Sequence, residues 1–456
     1  MPEISKKMVQ QVHHPEPSRR ITGVVEISPE ILAEIQKEIK NVSNFREKIE
    51  TSLKKRVTEI LEIILGGAIS LDASDIHIEP EEKQVKIRVR LDGILQDVLV
   101  LDKKTYENLL SRVKLLSGVK LNITDRPQDG RFSVLVPSTE DTGGGPIEIR
   151  TSSLPAEHGE SMVLRILNPK SLIDMETLGL REDLLKILRK EIKKPNGMII
   201  ITGPTGSGKT TSLYAFLKKI QNPEIKTITI EDPIEYHLEG ISQTQVVPEK
   251  GYDFATGLKS IMRQDPDVIL VGEIRDLETA SIALQAALTG HLVFTTLHTN
   301  DAAGTIARLQ ALGEKPINIA PAINMAIAQR LVRKVCQKCT KLEKITKEDL
   351  EKIKKALRNI PKGTIDLPEK RLQNLKIPKA VGCEDCNFTG YRSRAGIFEA
   401  FLIDDDMEKF ILTSPSIAAL REKITKKGMI TIYQDGIIKV LKGITTMEEV
   451  ERVTGE

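Results

Sequence analysis

A stretch of glycine, lysine and threonine near the middle of the chain has the spacing of a phosphate-binding loop. It reads GPTGSGKT from Gly203 to Thr210 and fits the pattern G-x-x-x-x-G-K-[ST]. The glycines let backbone N–H groups approach phosphate oxygens, and the following helix directs its positive end to the same place. Lys209 would neutralise the β- and γ-phosphates, and the Thr210 hydroxyl would bind Mg²⁺. A chance glycine turn is disfavoured, because the pattern follows an apolar strand and opens a helix. The residues predicted to bind the nucleotide are Gly203, Pro204, Thr205, Gly206, Ser207, Gly208, Lys209, Thr210 and Thr211.

Two acidic segments follow this loop along the chain. In DPDVILVGEIRD an apolar run leads to Glu273, with Gly272 intervening, and such an acid is predicted to bind Mg²⁺ together with Thr210. Asp267 precedes the run and is predicted to be a cap or turn residue. The alternative for Glu273 is an acid at the surface end of a strand.

The segment TIEDPIEYHLEG contains Glu231, Asp232 and Glu235 near the end of a predicted strand. Hydrolysis of a phosphoanhydride needs a group that orients the attacking water and accepts its proton. One of these three carboxylates is the candidate, and the alternative is a capped loop beside a proline.

A histidine, His298 in VFTTLHTND, ends another predicted strand beside the expected nucleotide cleft. A polar residue at this place could sense the γ-phosphate. Taken alone, the residue is better explained as a histidine that serves the structure.

Four cysteines form two C-x-x-C pairs, Cys336 with Cys339 and Cys383 with Cys386, separated by 43 residues. In a reducing compartment this arrangement favours metal ligands over disulfides. Two such pairs brought together form a closed tetrahedral site that suits structural Zn²⁺. Redox chemistry is the less favoured alternative, because two matched pairs are present.

The composition excludes several classes of protein. The net charge is only +3, and aromatic residues make up 3% with no tryptophan, which argues against a nucleic-acid binder with a stacking surface. No apolar run is long enough for a membrane span, and the N-terminus lacks the apolar core of a signal peptide. We therefore expect a cytoplasmic chain that meets a membrane only through partners.

The elements that must position these residues alternate between strand and helix. GMIIITG, KTITIEDP, DVILVGE and HLVFTTLH are predicted strands, with helices such as KTTSLYAFLKKI between them, which is the pattern of a parallel sheet covered by helices. The earlier part of the chain mixes a helix with alternating strands such as VKIRVRL, and TGGGP is predicted to be a plain turn. Near the N-terminus, Ser28 and Pro29 are predicted to start a helix.

The order of these motifs resembles that of the type II secretion and type IV pilus assembly ATPases. The resemblance is carried by the phosphate-binding loop, TIEDPIEY, ILVGEIRD and GHLVFTTLHTND, and by SDIHIEP, RVRLDG and RPQDGRF before them. It covers the chain from about residue 60 to its end. It implies a RecA-like P-loop NTPase core of α/β class, a smaller N-terminal α+β domain of PAS-like fold and a zinc-binding insert.

The resemblance also implies roles for single residues. Glu235 would activate the attacking water, Glu273 would be the acid beside Mg²⁺, and His291 and His298 would belong to the histidine segment of the family. Arg131 and Arg150 would reach the nucleotide from the N-terminal domain, where an arginine neutralises charge on the γ-phosphate. The alternative for both is a surface arginine. The tetracysteine module is typical of extension or secretion motors, and retraction motors lack it.

The predicted organisation has five parts: a polar helical tail at 1–54, the α+β domain at 55–170, the ATPase core at 171–332, the zinc module at 333–395 and a helical part of the ATPase domain at 396–456. The function implied is that of a hexameric ATPase, using ATP, Mg²⁺ and structural Zn²⁺. It would power pilus assembly, slightly favoured, or secretion, through an inner-membrane platform protein and docking proteins. A nucleic-acid translocase and a regulator with negligible turnover are the alternatives.

Overall fold

The computed structural model describes residues 23–137, 145–358, 360–361, 363–365 and 375–455. The chain divides into two compact units, Met1–Asn168 and Pro169–Glu456. Each unit contains one seven-stranded sheet, and the second also carries a small two-stranded sheet.

The first unit is built around a sheet in the order β1-β5-β6-β7-β2-β3-β4. Among the described strands of this sheet, the β1–β5 pair is parallel and the other pairs are antiparallel. The strands are β1 (Val24–Glu26), β2 (Asp75–Pro80), β3 (Val85–Leu91), β4 (Ile94–Leu101), β5 (Gln128–Val136), β6 (Gly145–Ala156) and β7 (Gly159–Leu167). The helices are α1 (Pro29–Glu38), α2 (Val42–Ser52), α3 (Val57–Ser70) and α4 (Lys103–Ser117).

Strand β3 shows how the alternating sequence positions this sheet. Its residues VKIRVRL are buried at every second position, so the apolar side chains face the core and the basic side chains face outwards. The alternation that predicted this strand therefore also decides which face of the sheet carries the arginines.

Residues 24–52, which lie within the predicted polar tail at 1–54, pack with the first unit. Strand β1 pairs with β5, and Leu32, Ile35 and Phe45 lie in the same core as α3. A Cβ atom at Gly67 of α3 would lie 2.2 Å from the Phe45 ring, so the close approach of α2 requires glycine there. The sequence did not reveal this packing, because the apolar residues of the two short helices are few among many polar residues.

The predicted N-terminal helix is present as α1. The Ser28 hydroxyl accepts the Ile31 N–H and Pro29 occupies the first helical position, as predicted. The helix ends at Glu38, and Asn41 caps a second helix, α2.

The second unit has a sheet in the order β10-β9-β11-β12-β8-β13-β16. Its strands are β8 (Gly197–Thr202), β9 (Thr227–Glu231), β10 (Ser242–Gln245), β11 (Val268–Val271), β12 (Leu292–Leu297), β13 (Ile323–Val335), β14 (Lys341–Lys344), β15 (Lys376–Lys379) and β16 (Tyr391–Leu402). Its helices are α5 (Glu182–Glu191), α6 (Lys209–Ile220), α7 (Phe254–Ile261), α8 (Leu277–Leu288), α9 (Gly304–Leu312), α10 (Pro316–Ile319), α11 (Lys347–Leu357), α12 (Asp405–Leu412), α13 (Ile417–Lys426), α14 (Ile432–Leu441) and α15 (Met447–Thr454).

Six adjacent strands of this sheet, β10 to β13 in spatial order, run parallel, and β16 is antiparallel to β13. Strands β8, β9, β11 and β12 are buried at every position. Strands buried on both faces need continuous apolar runs, which the sequence supplies. Because the strands are parallel, the residues that follow β8, β9, β11 and β12 all meet at one edge, called here the carboxyl edge.

The cysteine pairs lie where β13 leaves the sheet and β16 returns to it. Between them, β14 pairs with β15, and α11 joins the core that contains Ile437 and Val450 of the C-terminal helices. The segment predicted as a separate module therefore shares its hydrophobic core with the ATPase unit.

The segment TGGGP, predicted to be a plain turn, is described only in part. Most of TGGGP lies outside the described residues, and only Gly145 and Pro146 appear, at the start of β6. None of the helices in the described part of the chain has the length and apolar character that a bilayer span requires.

Candidate nucleotide site and cysteine cluster

The phosphate-binding loop connects β8 to α6 at the carboxyl edge of the second sheet. Gly203, Gly206 and Gly208 have φ angles of 149°, 78° and 86°, which side-chain-bearing residues rarely adopt. A Cβ atom at Gly203 would lie 2.5 Å from the Gln329 carbonyl oxygen, whereas one at Gly206 would meet nothing within 4 Å. The loop therefore packs against β13 on one side and is open on the other.

Lys209 lies at the start of α6, with its ammonium group folded back onto the loop. Nζ donates to the carbonyl oxygens of Gly203 at 2.9 Å and Pro204 at 3.2 Å. Burial lowers the pKa of Lys209, and the negative charges of Glu273 and Glu235 act in the opposite direction. A partly desolvated ammonium group at this place favours an anionic ligand.

The Ser207 hydroxyl supplies an independent test of the loop as a phosphate site. Its Oγ atom is buried and has no hydrogen-bond partner in the structure. Buried polar atoms are usually paired. An unpaired hydroxyl in a glycine-rich loop therefore fits a site that binds phosphate oxygens. Thr210 and Thr211 are half-buried in the first turn of α6.

Glu273 follows β11, two strands away from the loop. Its carboxylate lies 3.3 Å from Nε2 of His298 and accepts a hydrogen bond from Arg275. The intervening Gly272 continues the sheet, because its N–H donates to Ile230 and its carbonyl accepts from the Thr296 hydroxyl. This extra paired residue explains why the acid stands one position beyond the apolar run.

The three acids of the TIEDPIEY segment have different environments. Glu231 is buried, and its carboxylate accepts from Thr229 at 2.5 Å and also from the Tyr214 hydroxyl. Burial raises the pKa of Glu231, although these donors oppose the shift. Asp232 pairs with Arg275 at 3.2 Å. Glu235 is the acid of this segment whose charge acts on Lys209.

The two histidines of the predicted histidine segment lie at opposite ends of β12. His298 follows the strand at the carboxyl edge, beside Glu273. His291 precedes it, with Nδ1 3.0 Å from the Ala286 carbonyl oxygen. Six residues of strand separate them by about 20 Å, so only His298 can belong to the nucleotide site of the same chain. The sequence motif could not distinguish the two.

Arg131 and Arg150 lie on the sheet of the first unit, directly opposite each other on β5 and β6. The same row continues across the sheet to Arg165 on β7, then Asp75 and Arg90. Asp75 pairs with Arg165 at 3.1 Å and with Arg90 at 3.4 Å. Arg150 also lies 3.5 Å from Glu148. The four arginines of the row outnumber these carboxylates, so an anion at its surface is electrostatically favoured.

The four cysteines form one cluster, with all Sγ atoms within 4.8 Å of one another. The sulfur of Cys336 lies 3.9 Å from that of Cys383, and that of Cys339 lies 3.8 Å from that of Cys386. All four are free thiols. A tetrahedron with Zn–S bonds of about 2.3 Å has edges of about 3.8 Å, so the cluster is compatible with a metal ion. Amide groups of Cys383 and Gly390 donate to the Cys386 sulfur.

Two residues of β13, Gln329 and Arg330, line the phosphate-binding loop and were missed from the sequence. The Gln329 side chain is buried and accepts a hydrogen bond from Ser212 at 2.8 Å. Arg330 lies beside Gly203. The one available signal was a pair of polar residues inside an otherwise apolar strand sequence.

A phosphate-binding loop, a lysine and a strand-end acid on a parallel sheet together define a P-loop NTPase. Comparison with known proteins extends this assignment, because the model of the family described as type II/IV secretion system protein matches residues 50–452. The chain belongs to that family.

The relatives of this chain include secretion and pilus proteins. Type II secretion system protein E of Pectobacterium carotovorum is 44% identical over 88% of this chain and 76% of that protein. Type II secretion system ATPase E of Vibrio cholerae is 43% identical over the same shares. Type IV pilus assembly ATPase PilB of Thermus thermophilus is 41% identical over 94% of this chain and 46% of that protein.

Solved structures support the same fold. The pilus retraction motor PilT with bound ADP is 27% identical, with a TM-score of 0.55 over 85% of this chain and 95% of that chain. The ATPase DotB of Legionella pneumophila has a TM-score of 0.60 over 86% and 95%, and at 23% identity it supports the fold alone. The predicted family and fold class are confirmed, and the chain is an ATP-hydrolysing enzyme.

Proposed function

We propose that this chain is the ATPase motor of a type IV pilus assembly or type II secretion machine. It acts as a homohexamer at the cytoplasmic face of the inner membrane, which it reaches only through a platform protein and docking proteins. The observation that carries the proposal is the meeting of Lys209, Glu273 and His298 at one edge of the sheet, in a family of secretion and pilus ATPases.

The residues at the carboxyl edge have complementary roles in hydrolysis. Lys209 and the loop amides hold the β- and γ-phosphates, and Glu235 orients the attacking water and takes its proton. Thr210 and Glu273 would hold Mg²⁺, which would supply positive charge to neutralise the phosphates. His298 keeps the Glu273 carboxylate in place, because its ring lies 3.3 Å from that carboxylate.

The arginines of the first unit couple hydrolysis to movement. Arg131 and Arg150 would neutralise charge that develops on the γ-phosphate. Their position in a row of arginines supports an affinity for phosphate. Since the arginines belong to a different unit from the loop, the nucleotide state and the position of the first unit depend on each other, which allows mechanical work on the platform.

The cysteine cluster is proposed to hold structural zinc. Four sulfurs at tetrahedral spacing leave no open position for a substrate. The cluster lies between β13 and β16, so the metal would fix the edge of the ATPase sheet.

The choice between pilus assembly and secretion rests on small differences among the relatives. The match to the pilus ATPase covers 94% of this chain, and the matches to the secretion proteins cover 88%. The secretion proteins are in turn slightly more similar, at 44% and 43% identity against 41%, so a platform protein from either machine is a suitable partner.

Steady-state hydrolysis of Mg²⁺ATP by Lys209→Ala and Arg131→Ala tests the proposal. We expect Lys209→Ala to lose nucleotide binding and hydrolysis together. Arg131→Ala should bind ATP normally but hydrolyse it about 10³-fold more slowly, because an arginine of this kind acts only in the transition state. The matched control is Arg46→Ala, which removes an arginine of the same unit that bonds to backbone oxygens of β4. An Arg131→Ala enzyme of normal activity would contradict the coupling of the two units.

The same assay separates the second candidate function. A nucleic-acid translocase is stimulated by its substrate, so addition of single- or double-stranded DNA should leave the rate unchanged if the proposal is correct. Strong stimulation by DNA would favour the translocase instead.

A further inference from the structure

The position of Arg330 next to the phosphate-binding loop follows from the register of β13 against β8. Ala328 pairs with Thr202, the last residue of β8, so Gln329 and Arg330 extend beyond the point where the loop begins. A Cβ atom built on Gly203 would lie 3.3 Å from an NH1 atom of Arg330. The guanidinium group therefore lies beside the first glycine of the loop.

The hydrogen bonds of Arg330 use only part of the capacity of its guanidinium group to donate hydrogen bonds. Its NH2 atom donates to the Asn300 carbonyl oxygen at 2.9 Å, and NH1 lies 3.3 Å from the Gln329 carbonyl oxygen. Within the described residues, no carboxylate forms an ion pair with this guanidinium. The more distant charges of Glu399 and Asp301 only partly oppose the burial that lowers the pKa of Arg330. A guanidinium has five N–H donors, and a half-buried one is usually paired with an anion.

A second cation approaches the same glycine. The Lys209 ammonium group donates to the Gly203 carbonyl oxygen at 2.9 Å, and the Arg330 charge acts against protonation of Lys209. Two positive groups that repel each other at one glycine are stabilised by an anion that both can bind.

We infer that Arg330 is a further binding residue for the terminal phosphates of the nucleotide, supplied by β13 of the same unit as the loop. The inference rests on the assigned ATP-hydrolase activity, and it is independent of the arginines on the first unit. Arg330 also bonds to the loop that follows His298, through Asn300. A phosphate bound to Arg330 would therefore be connected, through Asn300, to the segment that contains His298, the candidate γ-phosphate sensor.

The test compares Arg330→Gln with Arg330→Lys and with Arg189→Gln as the matched control. Arg189 bonds to Glu176 at the surface of the same unit, and Glu176 also binds Lys219 at the far end of α6. Affinities for ATP, ADP, tripolyphosphate and AMP are measured by equilibrium binding. Thermal unfolding is followed without ligand and with saturating Mg²⁺ATP.

If Arg330 binds the terminal phosphates, Arg330→Gln weakens ATP, ADP and tripolyphosphate binding by about tenfold or more, the loss expected of one charge-assisted contact. AMP binding changes less than twofold. Without ligand the variant unfolds at a temperature no lower than the control, because a repulsion has been removed, whereas the stabilisation by ATP decreases. Arg330→Lys should recover part of the ATP affinity, since it keeps a positive charge.

A purely structural role for Arg330 gives the opposite pattern. The unliganded Arg330→Gln protein would then unfold at a lower temperature than the control, and AMP and ATP binding would weaken equally. That result, or unchanged ATP affinity, would overturn the inference. If the wild-type chain did not hydrolyse ATP, the proposed motor function would be refuted instead. The two failures are therefore distinguishable.

Discussion

Three acids within five residues differ in their surroundings, and we propose that they differ in role. Glu231 is enclosed by donors from Tyr214 and Thr229, so it serves the packing of β9. Asp232 is paired with Arg275. The charge of Glu235 acts on Lys209, as that of Glu273 does, and we propose Glu235 as the base.

The substitution Glu235→Gln tests this assignment. It keeps the shape of the side chain but removes its ability to accept a proton, so the turnover number should fall by about 10² to 10⁴-fold. ATP affinity should stay within about twofold of the wild type, because Lys209 and the loop are unchanged. Both quantities are obtained from single-turnover hydrolysis and equilibrium binding.

The matched control for that variant is Glu239→Gln, which alters an exposed acid of the same segment. It should behave as the wild type. Normal turnover in Glu235→Gln would transfer the role of base to another acid at the carboxyl edge, such as Glu273.

At the scale of elements, the cysteine cluster joins two strands of the ATPase sheet. Strands β13 and β16 pair over most of their length, and Val335, at the end of that pairing, is followed directly by Cys336. On the sheet side of the cluster, Arg333 binds Glu449 of α15 and also stacks on the Tyr391 ring at 4.1 Å. The end of β13 that leads into the cluster is therefore held by a contact with the C-terminal helix α15.

We predict that Cys339→Ser lowers the zinc content from about one ion per chain to less than half. The variant should also unfold at a lower temperature, because the metal-linked ends of β13 and β16 separate. Gln337→Ser is the control, since it replaces an exposed residue inside the same C-x-x-C pair. Metal analysis and thermal unfolding give the readouts. A wild-type protein that is purified without metal and whose stability is unaffected by chelators would contradict the zinc assignment.

Local sequence patterns predicted the elements whose contacts are local. The phosphate-binding loop and the strands buried on both faces needed only short windows of sequence, and the structure has them at the expected places. Arg330 was missed because its contact with Gly203 joins residues far apart in the chain. The segment that contains α1 and α2 was assigned to a polar tail. Its few apolar residues form a continuous buried surface only when the two helices pack against α3.

At the scale of the whole molecule, the candidate site residues are distributed over the two units. The second unit holds the loop, Glu273 and the cysteines, and the first holds the row of arginines. Under the proposed function, Arg131 and Arg150 of the first unit take part in hydrolysis, and we propose that assembly into a hexamer places them at a nucleotide. The domain boundaries at 54, 170, 332 and 395 remain predictions, although residues 24–52 pack with the first unit.

The most direct test of this account is the hydrolysis rate per chain across a wide range of protein concentration, with the particle mass measured in the same samples. We predict that the rate rises with concentration and reaches a plateau as the mass approaches six times that of the 50.8 kDa chain. A rate per chain that is independent of concentration, measured on particles with the mass of one chain, would contradict the proposed motor.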